Sequence, residues 1–388
     1  MNKKIVFIGG GASSLINTVL LKKEEPSFDV VIVEKDKKLG KKLSATGGGK
    51  CNIAPLKDNP YLYNREAVDL VESLFNDYPL KDYLNLLEQI GLDTKAIKDY
   101  GFYPIHESAP QVVKNLYHQI NKLGIEVIYD EFINFSVNGD RVIVQLKEQT
   151  LEADKLVIAT GGLSEEMRKV FESHKVEVSK TYPGLCPIRV KENVLPLFGC
   201  RFEAVVTLLY KKNVYRQLYG EIQFKKDALS GIPILNLSSL IAREDNFKNG
   251  DYQISIGLPR NFEPNILGKS IEEALFMLFK EEYVNYLIDK HHLKRKELID
   301  LTTEKEILKI IYDERFTVDS LYDFKDAQVT IGGVSLREID ENFALKKYRN
   351  VYVVGEVLDV DGVCGGYNLR FAITSGFKAV SSILKTIK

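Results

Sequence analysis

The sequence predicts an α/β fold in which a mainly parallel sheet is split by an inserted region of different pattern. Four short apolar runs have the composition of strands that are buried on both faces. The first run is followed by a glycine-rich turn and then by a helical pattern. The middle of the chain instead alternates apolar and polar residues, which is typical of antiparallel strands.

The four apolar runs are rich in β-branched residues, and each ends at a glycine or a charged residue. They read IVFIGGG at 5–11, VVIVEKD at 30–36, LVIATGG at 156–162 and VYVVGEV at 351–357. Ligands of open α/β sheets bind beyond the carboxyl ends of the strands. We therefore expect the ends of these four strands to form one site.

The turn after the first run resembles the fingerprint of dinucleotide-binding proteins. Residues 9–14 read G-x-G-x-x-S, in which bare backbone and a helix N-terminus can approach a pyrophosphate. Glu34 ends the next strand at the spacing of a carboxylate that binds ribose hydroxyls. Ser14 replaces the glycine that serves helix packing, so we expect overpacking of roughly 1–3 kcal/mol and a nucleotide site that survives it. A glycine turn without a nucleotide remains the alternative.

A second glycine-rich segment, SATGGGKCN at 44–52, contains three consecutive glycines. Glycine loses more backbone entropy on folding than any other residue. Such a run therefore indicates either a sharp turn or a group that lies directly against the backbone.

Taken together, these motifs resemble those of BaiN-like flavoproteins and aminoacetone oxidases, which are NAD(P)/FAD-dependent oxidoreductases with two dinucleotide-binding domains. The resemblance rests on GGGAS, VEKDKKLGKKLSATGGGKCN, VIATGG, GGVSLREID and VVGEVLDVDGVCGGYNLRFAITSGF, in that order. It implies a Rossmann-like FAD-binding domain with a mainly parallel sheet.

The resemblance also implies where FAD would bind. Gly9 and Gly11 would contact the pyrophosphate, Glu34 the adenosine ribose, and residues 46–52 the flavin. Residues 365–369 would place a second helix N-terminus against the pyrimidine ring of the flavin, where its partial positive charge would stabilise the anionic reduced form. The implied cofactor-binding residues are Gly9, Gly11, Ala12, Ser13, Glu34, Lys35, Lys41, Thr46, Gly47, Gly48, Gly49, Cys51, Asn52, Thr160, Gly161, Gly355, Glu356, Gly365, Gly366, Tyr367, Asn368 and Leu369.

Three segments depart from the family pattern. Gly162 runs directly into LSEEMRKVFESHKVE, where family members have a long glycine-rich loop. GFYP at 101–104 lacks the arginine of the corresponding family motif, and GEIQFKKDALSGIPILNLS at 220–238 lacks a threonine and a glycine. These changes affect the expected substrate more than they affect FAD binding.

The pattern of the middle region predicts a discontinuous domain organisation. We predict an FAD-binding domain at 1–186 and 327–388, a β-rich insertion at 187–262 and a helical insertion at 263–326. EKEILKIIYDERF, within the last of these, is predicted to form a helix.

Three residues are candidates for chemistry on a substrate, although no catalytic residue is assigned. Cys51 and Cys364 lie in the loops expected beside the flavin, and His106 is a candidate because histidine side chains are suited to proton transfer at neutral pH. A free cysteine is more often an inert small apolar residue, and a lone histidine is more often structural or exposed. Lys35 and Lys41 belong to a basic run that is either solvated or in contact with phosphate.

Composition excludes several classes of protein. The 388 residues carry 53 Lys+Arg against 54 Asp+Glu, so the net charge of −1 favours neither nucleic acid nor an anionic membrane as a partner. The four cysteines form no C-x-x-C pair, so no metal site or disulfide framework is predicted. The apolar run near the N-terminus is too short for a signal peptide, and we expect a cytoplasmic protein. The oligomeric state is not predicted.

The sequence therefore predicts an FAD-dependent oxidoreductase that transfers hydride between the flavin and a small organic substrate. NAD(P)H, bound transiently, or dioxygen would be the second redox partner. Two alternatives remain: a flavin-binding sensor or scaffold without turnover, and an NAD-dependent dehydrogenase that uses Glu34 to select its cofactor.

Overall fold

The computed structural model of the protein describes residues 2–244 and 251–387. Met1, Lys388 and positions 245–250 of the predicted β-rich insertion lie outside the described residues. The chain forms two compact units, one of Met1–Thr181 with Val329–Lys388 and one of Tyr182–Gln328. The predicted division of the inserted region into a β-rich part at 187–262 and a helical part at 263–326 stays a prediction.

The first segment of the first unit alternates strands and helices. Its strands are β1 (Lys4–Ile8), β2 (Asp29–Glu34), β3 (Thr94–Ile97), β4 (Gly101–Pro104), β5 (Glu126–Tyr129), β6 (Phe132–Asn138), β7 (Arg141–Leu146), β8 (Thr150–Ala153) and β9 (Lys155–Ile158). Its helices are α1 (Ala12–Glu24), α2 (Lys41–Ala45), α3 (Val68–Asp77), α4 (Leu80–Gln89), α5 (Ala109–Lys122) and α6 (Glu165–Ser173).

The second unit combines antiparallel strands with helices. Its strands are β10 (Tyr182–Gly184), β11 (Ile188–Val190), β12 (Arg201–Tyr210), β13 (Asn213–Phe224), β14 (Ala228–Ser230), β15 (Tyr252–Gly257) and β16 (Glu314–Leu321). Its helices are α7 (Ile232–Arg243), α8 (Ile271–Phe276), α9 (Glu281–Lys290) and α10 (Leu301–Tyr312). The chain then returns to the first unit with β17 (Val329–Ile331), β18 (Ala344–Leu345), β19 (Tyr348–Val353) and α11 (Tyr367–Ile387).

The first unit is built around a sheet that, within the described residues, has six strands in the order β18-β19-β9-β1-β2-β5. All neighbours are parallel except β18, which pairs antiparallel with β19. The central strand β1 buries Ile5 to Ile8 on both faces, as its continuous apolar composition predicts. Helices α1 and α11 pack so closely that a Cβ on Gly376 would lie 2.0 Å from Nδ2 of Asn17.

The second unit contains a closed antiparallel barrel of β11-β14-β13-β12-β15-β16. The prediction of a helix through EKEILKIIYDERF was wrong at its end, because α10 stops at Tyr312 and β16 starts at Glu314. Phe316 and Val318 alternate with less buried residues and point into the apolar core, which is the period of a strand. The parallel sheet and the antiparallel barrel together confirm the predicted α/β fold class with an inserted β-rich part.

Candidate functional site

The candidate site lies in the first unit, at the edge where four parallel strands end. β19, β9, β1 and β2 are adjacent in the sheet and run in the same direction. Their carboxyl ends therefore bring together the turns that begin at Gly355, Ala159, Gly9 and Glu34. These are the four turns that the sequence predicts to meet.

The turn after β1 is held by hydrogen bonds from backbone amides to the Glu34 carboxylate. Gly9 has φ +97°, and a Cβ there would lie 2.6 Å from the carbonyl oxygen of Ala159. The Gly10 amide donates to Oε2 of Glu34 at 2.6 Å, and the Asp36 amide donates to Oε1 of Glu34 at 2.8 Å. The Glu34 carboxylate is thus fixed against the glycine turn before any ligand binds.

Gly11 occupies the N-cap of α1, and its Cα faces open space. Its backbone has φ −83° and ψ −173°, which any residue can adopt, and a Cβ there would meet no atom within 4 Å. Glycine has no side chain that could cap the helix, and the first turn of α1 has no acidic residue. The first amides of α1 are therefore available to an anion.

A cavity of about 140 Å³ lies beside this turn. It is lined by Ile8, Gly9, Val33, Glu34, Lys35, Asp130, Glu131, Phe132, Thr160, Gly162, Ser164, Glu166 and Met167. The hydroxyl of Thr160 is buried and has no hydrogen-bond partner within the described part of the chain. A buried hydroxyl without a partner is costly, which favours a ligand or a water at this position.

The three consecutive glycines form a left-handed turn. Gly47, Gly48 and Gly49 have φ of +60°, +63° and +86°, a region that residues with a side chain rarely adopt. A Cβ on Gly47 would lie 2.8 Å from the Asn52 amide nitrogen, whereas the other two glycines face open space. The local conformation alone therefore accounts for the glycine run.

The loop that follows is held between two further glycines. Cβ atoms on Gly101 and Gly366 would lie 2.6 Å and 2.7 Å from Oδ1 of Asn52. The side-chain amide of Asn52 donates to the Tyr100 carbonyl at 2.9 Å. β4 and the start of α11 thus converge on Asn52 and Ala54, which brings the two glycine loops at 46–52 and 365–366 together.

The Glu356 side chain closes the other side of the site. It lies over the turn after β9, where a Cβ on Gly161 would be 3.6 Å from Oε2 of Glu356. Oε1 of Glu356 accepts the Thr330 amide at 2.8 Å, and Lys42 Nζ lies 3.3 Å from Oε2.

The sequence model of the HI0933-like protein Rossmann domain matches residues 3–382. The chain belongs to the HI0933-like family. It is similar to a 3-dehydro-bile acid Δ(4,6)-reductase of Clostridium scindens, at 24% identity over 97% of this chain and 98% of that protein. It is also similar to the ribosomal RNA dihydrouridine synthase of Haemophilus influenzae, at 25% identity over 97% of this chain and 98% of that protein.

Solved structures share the fold of this HI0933-like protein at low identity. A 3-ketosteroid Δ1-dehydrogenase from Sterolibacterium denitrificans gives a TM-score of 0.53 at 11% identity, covering 99% of this chain and 100% of that chain. E. coli quinol fumarate reductase FrdA gives a TM-score of 0.51 at 12% identity, covering 99% of this chain and 70% of that chain. The predicted resemblance and the classification as a flavoprotein oxidoreductase are confirmed at the level of the family.

The three residues considered for chemistry differ in their surroundings. Cys51 is buried, and burial raises the pKa of its thiol to about 12; burial also raises the pKa of the Cys364 thiol to about 12. Neither thiol would be ionised near neutral pH, which disfavours a nucleophilic role. His106 is exposed, and its Nδ1 accepts the Ser108 amide at 3.2 Å. A catalytic role for these residues stays a prediction.

Two other predicted site residues have partners within the protein. Asn368 accepts the Gly362 amide and donates to the Gly362 carbonyl, both at 2.8 Å, so its side chain holds the loop before α11. Lys41 is exposed and pairs with Asp36 at 3.3 Å.

Sequence reasoning missed the cavity residues Asp130, Glu131 and Phe132. They follow β5, the edge strand of the same sheet, whose exposed and partly exposed residues do not have the composition of a buried parallel strand. The run EVIYDEF was the available signal. In the part of the chain that the structure describes, no cluster of His, Cys, Asp and Glu could hold a metal ion, and no helix has the length and apolar character needed to span a bilayer.

Proposed function

We propose that this protein is an FAD-dependent oxidoreductase that transfers hydride between the flavin and a small organic substrate. The open face of Gly11 carries the proposal. Within the described residues, every other glycine either has positive φ or would press a Cβ against a neighbour. Neither conformation nor packing requires a glycine at position 11, so space for a ligand at the helix N-terminus explains it.

The rest of the site fits a dinucleotide. The carboxylate of Glu34, oriented by two amides, has lone pairs left for ribose hydroxyls. The cavity beside it contains the Thr160 hydroxyl, which has no hydrogen-bond partner among the described residues, and would take the adenosine end. The amides of α1 would bind the pyrophosphate.

The flavin end would lie at the two converging glycine loops. Gly365 and Gly366, with φ +118° and +91°, precede α11, and the N-terminus of this 21-residue helix favours negative charge. Bound FAD would supply hydride transfer, which amino-acid side chains cannot perform. The protein would contribute binding, orientation and the electrostatic field of α11. The proposed cofactor contacts are those predicted from the sequence, without the Asn368 side chain, which bonds Gly362, and with the Asp130–Phe132 segment added.

For the substrate, we propose a carbon–carbon double bond conjugated to a carbonyl group. The names of both relatives, a bile acid Δ(4,6)-reductase and a dihydrouridine synthase, denote saturation of such a bond. Transient NAD(P)H would supply the electrons. Uridine in ribosomal RNA is a second candidate substrate, because the ribosomal RNA dihydrouridine synthases of Haemophilus influenzae and Escherichia coli both align over at least 97% of their length. The expectation of no nucleic-acid partner stays a prediction.

The purified protein tests the proposal in two steps. We expect a yellow protein that releases one FAD per chain on denaturation, identified by mass and spectrum. We then expect NADH or NADPH to bleach the flavin anaerobically, and a 3-oxo-Δ4,6 steroid or a uridine-containing ribosomal RNA fragment to restore its colour. Gly11→Val is the control that should fold but bind FAD more weakly, by about fivefold to 150-fold. A protein that binds no FAD at saturating flavin would refute the proposal, and a flavin that no donor reduces would favour the sensor alternative.

A further inference from the structure

Arg370 is a fully buried charge in the first turn of α11. Its side chain is 0% exposed, and its guanidinium forms a bidentate ion pair with Asp58 at 3.1 Å and 3.0 Å. It also donates to the carbonyl of Tyr78 at 2.5 Å and to the Thr374 hydroxyl. These four hydrogen bonds use each guanidinium nitrogen, as a buried arginine requires, and they hold the surrounding groups in a defined geometry.

Two aromatic rings enclose the same guanidinium. Its carbon lies 4.3 Å from the ring centre of Phe75 in α3 and 4.2 Å from that of Tyr83 in α4. These distances are in the range of cation–π contacts. Arg370 thus joins α3, α4 and the segment that contains Asp58 to the N-terminal turn of α11.

Two tyrosine hydroxyls extend from this arrangement to the glycine loops. The Tyr83 hydroxyl donates to the carbonyl of Ile53 at 3.0 Å, directly after the loop at 46–52. The Tyr63 hydroxyl donates to the carbonyl of Tyr367 at 2.6 Å, directly after Gly366. The Tyr63 ring also meets the Phe75 ring edge-on at 5.9 Å between centroids. We call Asp58, Tyr63, Phe75, Tyr83 and Arg370 the Arg370 cluster.

The two loops that the cluster holds are in direct backbone contact. A Cβ on Gly366 would lie 2.6 Å from the carbonyl carbon of Ala54, so the backbone at Gly366 packs directly against the backbone that follows the loop at 46–52. A displacement of either hydroxyl-anchored carbonyl would therefore move one loop against the other. Sites of this kind lose function when their supporting groups loosen by about 1 Å.

We propose that the Arg370 cluster is a positioning device that sets the register of the two glycine loops for the isoalloxazine end of FAD. This inference rests on the proposed function. Its residues are positioning residues, because they act through the carbonyls of Ile53 and Tyr367 and not through the adenosine end of the site.

Tyr83→Phe and Tyr63→Phe test this role, because each removes one hydroxyl and keeps the ring. Tyr352→Phe is the matched control: Tyr352 is also buried, and its hydroxyl bonds Ser382, away from both loops. Dissociation constants for FAD and for ADP are measured by fluorescence and calorimetry on the full chain freed of flavin, with thermal unfolding in parallel. Each loop-linked variant should bind FAD about twofold to tenfold more weakly, the range expected for one hydrogen bond, with ADP affinity unchanged.

The outcomes separate this inference from the proposed function. Weaker FAD binding with native ADP binding in Tyr83→Phe or Tyr63→Phe, but not in Tyr352→Phe, supports the positioning role. Native FAD affinity in both loop-linked variants overturns it, as does an equal loss of FAD and ADP affinity or an equal loss in Tyr352→Phe. If the unsubstituted protein binds no FAD, the proposed function itself fails.

Discussion

Gly11→Val is the substitution that most directly separates a ligand site from a folding requirement. Valine at this N-cap lowers the entropy of the unfolded chain, which stabilises by about 0.4–1 kcal/mol, and gives up a better N-cap residue at a cost of about 0.5–1 kcal/mol. These two contributions nearly cancel. Strain and packing add no further cost, because the backbone at φ −83° is unstrained and no atom lies within 4 Å of the new Cβ. We expect the free energy of unfolding without flavin to change by less than about 1 kcal/mol.

The same side chain would fill the space in front of the α1 amides. Forcing methyl groups into an occupied contact costs about 1–3 kcal/mol, which corresponds to about fivefold to 150-fold weaker FAD binding. Gly9→Ala is the contrasting variant: its Cβ would sit 2.6 Å from a backbone oxygen at φ +97°, so we expect it to destabilise the flavin-free protein itself. Chemical unfolding and FAD titration measure both quantities. Native FAD affinity in Gly11→Val would contradict the assignment of the helix N-terminus, and a large loss of stability would contradict the open face.

Three further predictions concern buried or partly buried polar groups. Asp58→Asn should lower the free energy of unfolding by about 3–5 kcal/mol, because it leaves the Arg370 charge buried without its partner, whereas Asp36→Asn at an exposed pair should cost less than about 1 kcal/mol in urea unfolding. Desolvation lowers the pKa of His174 in the folded protein, so the unfolded chain binds the proton more readily. The urea concentration at the unfolding midpoint should therefore be constant above about pH 6.5 and should fall as the pH drops below that value. Ser14→Ala should be neutral or stabilising by about 1–3 kcal/mol in thermal unfolding, because the buried Ser14 hydroxyl has no partner in the described residues.

Each of these predictions has an outcome that would contradict it. His174→Gln should remove the part of the acid-induced loss that comes from this ring, which lies 2.9 Å from Oδ1 of Asn134 and 3.2 Å from the Tyr348 hydroxyl. An unchanged pH profile in that variant would assign the loss to other groups. A clear loss of stability in Ser14→Ala would mean that a bound water or the hydroxyl itself stabilises the α1 interface. An Asp58→Asn protein as stable as the native one would show that the Arg370 guanidinium finds another counter-charge.

The parts of the fold that were predictable from sequence are those encoded in local patterns. Continuous β-branched runs identify β1, β2, β9 and β19, because a strand buried on both faces has no room for polar residues. The edge strand β5 was missed, since exposure on one side gives it a mixed composition. The end of α10 was predicted wrongly because the buried and less buried residues of β16 alternate over only a few positions. This alternation identifies a strand only once the inner face of β16 is known to line a barrel.

The site was predictable where a turn motif specifies the backbone, and not where distant side chains meet. The turn at Gly9 and Gly11 follows from spacing alone. The pairing of Arg370 with Asp58 joins residues 312 positions apart, and Asp58 belongs to no motif. Asn368 shows the converse, because its place in a motif suggests contact with a ligand, whereas its side chain holds a neighbouring loop.

For the glycines of this site, the structure gives a reason for each residue that the sequence alone does not. A glycine in a sequence can reflect a left-handed backbone, a close contact or space for a ligand, and the sequence does not separate the three. Here the conspicuous triplet at 47–49 is explained by its positive φ angles, while a contact explains Gly376. Gly11 has neither a positive φ nor a close contact. The case for a bound anion at α1 is therefore stronger than the case that the triplet itself was selected for a flavin, and the two can be tested apart by placing side chains at Gly11 and Gly48.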